Sequence, residues 1–197
     1  MRLIVTRHGE TEENRQGIIQ GHLHGILSEL GKEQAKKLAE RLKEEKIDLI
    51  LSSDLARASD TAKEIAKFHP EIPFELKKEL RERDWGEFSG KRSDDIEYWN
   101  KIENGVWRDG LIAEHGGETP EEATKRITNF KNELLQKFSG KKVLVVTHNS
   151  IANLLLCGLV KEYDKVRLEN TSLTIFEFDE NKEPKLILLN CVKHLED

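Results

Sequence analysis

Hydrophobic residues fall along this chain in two rhythms, short continuous apolar runs and longer stripes at helical spacing. Leu3-Ile4-Val5-Thr6 is an apolar, β-branched run that predicts a buried strand ending at Arg7-His8-Gly9. A polar stretch punctuated by glycines follows to about Leu27. Ser28 then stands where a helix cap is expected, ahead of Ala35, Leu38, Ala39 and Leu42 on one face. Asp48-Leu49-Ile50-Leu51 predicts a second strand. Ser52-Ser53-Asp54 reads as the capping cluster of a helix bearing Ala58, Ala62 and Ile65. Thr119-Pro120-Glu121-Glu122 combines a capping box with proline at the first helical position, and Ala123, Ile127, Phe130, Leu134 and Phe138 mark that helix's buried stripe. Residues 143–146 predict a third strand, ending at Thr147-His148, with a helix starting at Asn149 or Ser150. Residues 172–178 and 185–189 predict two further strands around a turn, expected to pair as an antiparallel hairpin.

Strands alternating with helices predict an α/β fold, a three-layer α/β/α sandwich with a mostly parallel central sheet. Repeats, low-complexity tracts and linkers are absent, so residues 1–197 read as a single domain. Residues 80–117 hold three tryptophans and many charges, and read as an irregular excursion over the active site. Trp85, Trp99 and Trp107 are expected to be packing anchors.

Composition narrows the function classes. Of the 197 residues 35% are charged and 37% hydrophobic, a globular profile and not a disordered one. The longest apolar run, near residues 151–160, is too short to cross a bilayer, and the opening apolar stretch is too short for a signal peptide. A cytoplasmic protein without membrane association is expected. Cys157 and Cys191 form no CxxC pair and read as structural thiols. A net charge of −5 without a basic block argues against nucleic acid as the partner. Oligomeric state is open, a homodimer included.

Ligands of such sheets bind beyond the carboxyl ends of the strands. The three expected strand ends bring Arg7 and His8, Asp54 just before Arg57, and His148 to one edge. Guanidinium forks satisfy phosphoryl oxygens in pairs and keep their charge. A helix starting just after Asp54 would add backbone N–H groups. A neutral imidazole is also a nucleophile near pH 7, so His8 could carry phosphate as well as bind it. The leaving oxygen needs a proton, and Glu82 in Leu80-Arg81-Glu82-Arg83-Asp84-Trp85-Gly86 is the candidate donor, with Glu79 and Asp84 as rivals. His22 and His24 alternate as metal ligands can, but without a third ligand they read as loop histidines or as substrate contacts near the mouth.

Arg7-His8-Gly9-Glu10-Thr11 resembles the signature of the histidine phosphatase superfamily, also called the phosphoglycerate mutase-like family. Asn14, Gln20-Gly21, Leu27-Ser28-x-x-Gly31-x-x-Gln34-Ala35, Ser52-Ser53-Asp54-Leu55-x-Arg57-Ala58-x-x-Thr61-Ala62, Glu82, Gly117-Glu118-Thr119 and His148 follow in the family's order. The resemblance implies a metal-independent phosphatase acting on small phosphomonoesters, with no cofactor. It implies His8 as the phosphorylated nucleophile, Arg7, Arg57 and His148 as phosphate ligands, and Glu82 as acid and then base. Asn14, Gln20, Gly21 and Asn149 join them as implied phosphate or substrate contacts. One departure is Asn149, where the family usually has glycine. The family's mutases are usually longer, with an extra insertion and a closing tail, so a phosphatase is expected ahead of a mutase or a non-catalytic phospholigand-binding member.

Overall fold

Alternate residues of the central strands enter opposite layers, which is what buries the sheet on both faces. In the computed structural model, which describes residues 1–97, 99, 110–160 and 166–196, Leu3, Val5, Leu49, Leu51, Val143 and Val145 share one cluster with Ile127, Phe130, Leu134, Ile151 and Leu155. Ile4, Ile50, Leu144 and Val146 share the other with Leu38, Ala39, Leu42, Ala58, Ala62 and Ile65. Each large aliphatic side chain buried this way contributes about 1.5–3 kcal/mol.

The strands are β1 (Arg2–Arg7), β2 (Leu49–Ser53), β3 (Phe74–Lys77), β4 (Lys142–Thr147), β5 (Leu173–Phe178) and β6 (Pro184–Cys191). The helices are α1 (Glu12–Arg15), α2 (Glu29–Leu42), α3 (Ala56–Ala66), α4 (Gly110–Glu114), α5 (Pro120–Lys137) and α6 (Asn149–Cys157). Sheet order is β3-β2-β4-β1-β5-β6. The four strands from β3 to β1 are parallel, β5 runs against β1, and β6 runs against β5. With α2 and α3 on one face and α5 and α6 on the other, the fold is the expected three-layer α/β/α sandwich with a mostly parallel sheet. None of its described helices is long and apolar enough to cross a membrane.

Capping follows the sequence at two helices. Ser28 Oγ accepts from Gly31 N, and Thr119 with Glu122 forms a complete capping box at α5. It fails at α3. Leu55 is the N-cap there and makes no side-chain cap bond: Asp54 pairs with Arg81, and Ser53 Oγ, reaching one position short of the helix, accepts from Leu55 N and meets His148. The short edge strand β3 has no sequence-level counterpart, since Phe74-Glu75-Leu76-Lys77 is only four residues of alternation.

Of the excursion, residues 80–97, 99 and 110–117 are described. Trp85 and Trp99 meet edge to face at 5.0 Å and pack with Ile19, Phe88 and Ile112 as a third small core, so both are anchors. Trp107 lies outside the described residues, as do 98, 100–109 and 161–165 within the chain.

Candidate active site

The parallel strands β1, β2 and β4 deliver Arg7-His8, Ser53 and Thr147-His148 to one edge of the sheet. Antiparallel β5 begins where β1 ends, so the segment entering it reaches the same edge. Asn170 Nδ2 donates to His8 O at 2.9 Å, and Thr171 N donates to Arg7 O at 3.0 Å. Gly9 lets the start of α2 pack close behind His8. A Cβ there would lie 2.5 Å from Gly31 O at the start of α2.

His8 and His148 are both buried, with ring centroids 5.2 Å apart and planes inclined at 58°. His8 Nδ1 lies 2.7 Å from Gly9 O. A carbonyl can only accept, so Nδ1 carries the hydrogen and Nε2 keeps its lone pair. His148 Nε2 lies 2.8 Å from Ser53 Oγ, which itself accepts from Leu55 N at 3.2 Å. When Ser53 donates its hydroxyl hydrogen to Nε2, the His148 hydrogen sits on Nδ1. That Nδ1 is buried with no hydrogen-bond partner, as an anion donor awaiting its acceptor would be.

Burial, then the charges of Arg57 and Arg7, hold the His8 pKa well below the ordinary imidazole value. His148 is lowered likewise, by burial first and then by Arg57, His8, Arg7 and His22. Both rings are therefore neutral at pH 7. Arg57 is brought down to about 10, burial being the main cause, and stays cationic. Its Nη2 donates to Gly21 O at 2.9 Å, while Nη1 donates to Leu23 O and to His24 O. Gly21 adopts φ +49, and a side chain there would press on Ser89 and Trp85. Arg7 Nη1 donates to Leu168 O at 2.7 Å.

Glu82 lies at the start of α6, next to His148. Its Oε2 accepts from Ser150 N at 3.2 Å and its Oε1 from Arg83 N at 2.9 Å. Its rivals are occupied differently: Asp84 binds Gly86 N and His22, and Glu79 lines a shallow cavity between β2 and α5. Asn14 gives its amide oxygen to Thr11 N in the α1 cap, leaving Nδ2 as its donor. Gln20 is buried, with Oε1 unpartnered beside Gly25. Asn149 has no positive φ, so a glycine-like backbone is not required there. Its Oδ1 instead accepts from Leu168 N at 3.0 Å, the residue whose carbonyl holds Arg7.

The structure thus gathers His8, His148, Arg7, Arg57 and Glu82 around the carboxyl edge of the sheet. One expectation is corrected. The first N–H groups of α3 are already bonded, Ala56 N to His24 Nδ1 and Arg57 N to His24 O, so they are not directed at an anion. His24 is a cap, and His22 is bound between Glu82 O and Asp84. Sequence reasoning passed over Ser53, Leu168 O and Asn170. Ser53 had a local reading as a cap, and backbone carbonyls leave no trace in a sequence.

Known proteins resemble this chain over nearly its whole length. A probable phosphatase of Schizosaccharomyces pombe is 32% identical over 208 residues, covering 100% of this chain and 96% of that protein. Phosphoserine phosphatase 1 of Hydrogenobacter thermophilus is 32% identical, covering 99% and 94%. The crystal structure of a phosphoglycerate mutase from Bacillus anthracis superposes with a TM-score of 0.86 at 26% identity, covering 99% and 95%. The family model of the histidine phosphatase superfamily (branch 1) matches residues 3–192, and the chain belongs to that family.

Proposed function

We propose that this chain is a metal-independent phosphatase that hydrolyses small phosphomonoesters through a phosphohistidine on His8. The observation that carries the reading is the pair of neutral, buried imidazoles 5.2 Å apart, one with a lone pair on Nε2 and the other with an unpartnered Nδ1. His8 Nε2 attacks phosphorus while the ester oxygen leaves with a proton from Glu82. Water, giving its proton back to Glu82, then attacks the phosphohistidine, and inorganic phosphate departs from a regenerated imidazole. Arg7, Arg57 and His148 Nδ1 neutralise the equatorial oxygens, which carry most of the charge in such a displacement. Asn14 Nδ2 and the Gln20-Gly21 loop border the same group, and Asn149 supports it through Leu168.

The mutase-named relative keeps a second outcome in view, return of the phosphoryl group to an organic acceptor in place of water. Incubating the chain with a panel of phosphomonoesters, phosphoserine and phosphoglycerate among them, separates the two. Inorganic phosphate without isomerised product is expected. The His8→Ala variant, assayed in parallel, is expected to lose activity by at least roughly 1,000-fold. Equal turnover by both proteins would remove His8 from the mechanism.

A further inference from the structure

Residues 20–25 serve two masters in this site. Three of their carbonyls, those of Gly21, Leu23 and His24, receive the Arg57 guanidinium. In the same loop, half-buried His22 reaches the other way. Its Nε2 lies 2.9 Å from Glu82 O, and its Nδ1 lies 3.2 Å from Asp84 Oδ2. The carbonyl only accepts, so Nε2 carries a hydrogen. The ring therefore lies between two acceptors that are two residues apart. Asp84 is itself fixed, since its Oδ1 accepts from Gly86 N at 2.9 Å.

We infer that His22 is a positioning residue for the proton donor, locking the loop that carries Glu82 onto the loop that seats Arg57. The inference rests on Glu82 being the acid of the proposed phosphatase. A general acid works only within hydrogen-bond reach of the oxygen it protonates. That oxygen belongs to a phosphoryl group held by Arg57, so the acid has to be positioned relative to Arg57. His22 supplies a side-chain link between the two loops, from a residue next to Gly21 to the backbone of Glu82 itself. The acid loop has further anchors: Ser150 N donates to Glu82 Oε2, Arg126 donates to the carbonyls of Glu79 and Arg81, and Arg81 pairs with Asp54 at the entry to α3. His22, however, is the side chain that joins it to the loop whose carbonyls receive the Arg57 guanidinium.

Leaving-group dependence tests this. An alkyl phosphate needs its leaving oxygen protonated, whereas p-nitrophenyl phosphate expels a stable anion and depends far less on an acid. His22→Phe keeps the ring and removes both nitrogens. His22→Gln keeps one N–H donor for Glu82 O. For His22→Phe, kcat/KM on glycerol phosphate is expected to fall roughly 10- to 100-fold, with less than about a threefold loss on p-nitrophenyl phosphate. His22→Gln is expected to recover most of that loss. Equal losses on the two substrates would make His22 a structural residue only, and no loss on either would dismiss it. Glu82→Gln, measured alongside, keeps the two levels apart. If it shows the leaving-group bias and His22→Phe does not, the positioning role falls while the acid stands. If Glu82→Gln shows no bias, the acid assignment falls and takes the role of His22 with it.

Discussion

Ser53 Oγ lies 2.8 Å from His148 Nε2, at the junction of β2 and β4, and decides which nitrogen of that ring faces the site. By filling Nε2 it leaves Nδ1 as the donor for an incoming anion. Ser53→Ala would leave a buried ring nitrogen without its partner. A loss of about 1–3 kcal/mol in urea unfolding is expected. A fall of roughly tenfold in kcat/KM should accompany it, because a ring free to change tautomer turns a lone pair toward phosphate oxygens. An unchanged variant in both measurements would show that the hydroxyl does not set the tautomer.

The two imidazoles also link stability to pH. Burial and the neighbouring guanidinium charges hold both native pKa values down, so the folded chain keeps the rings neutral while unfolded chains protonate near pH 6.5. Below that pH the unfolded state binds protons that the folded state refuses. Stability is therefore greatest above about pH 6.5 and declines as pH falls, by up to about 1.4 kcal/mol per pH unit for each ring. Urea midpoints between pH 7 and 5 should show this slope, and His8→Asn should remove about half of the pair's share. Asp54, lowered by its bonds to Arg81, adds its own loss only in the more acid carboxylate range. A flat profile between pH 7 and 5 would contradict the neutral assignment.

Asn149 is placed to hold the chain that holds Arg7. Its Oδ1 takes Leu168 N, and Leu168 O takes Arg7 Nη1. Asn153 ties Val166 to the same helix through both ends of its amide. Asn149→Gly, which restores the usual family residue, should therefore cost about 1–2 kcal/mol of stability. KM for a phosphomonoester should rise with kcat less affected. A lower KM would mean that the asparagine restricts access to the site.

Hydrolysis by His8 and a carboxylic acid requires no metal ion. Turnover of phosphoserine or another accepted ester should be unchanged after exhaustive chelation and dialysis. Loss of activity restored by a divalent cation would favour metal-assisted hydrolysis over a phosphohistidine.

Much of the fold was legible because its signals are local. Thr119, Pro120 and Glu122 cap α5 with atoms of their own neighbours, and the apolar runs of β1, β2 and β4 are continuous because both faces of those strands are covered. Local signals misled at the start of α3. Ser53 and Asp54 look like its caps, but Ser53 reaches only Leu55 N and meets a histidine, and Asp54 pairs with an arginine. The edge strand β3 escaped notice because it is short and half-exposed, with charged residues alternating with apolar ones.

From the sequence alone come the principal strands and helices in their order, without the edge strand β3, the arrival of Arg7-His8 and His148 at strand ends, and with them the kind of chemistry. Only tertiary structure shows which partner each imidazole meets, that Asn149 holds the residue whose carbonyl takes Arg7, and that His22 reaches the Glu82 loop. The physical reason is distance along the chain. Helix caps and apolar periods are set by residues a few positions apart, whereas Ser53 and His148 are separated by 95 residues and His22 and Glu82 by 60. Such partners are chosen by the packing of the whole sheet, and no short segment encodes them.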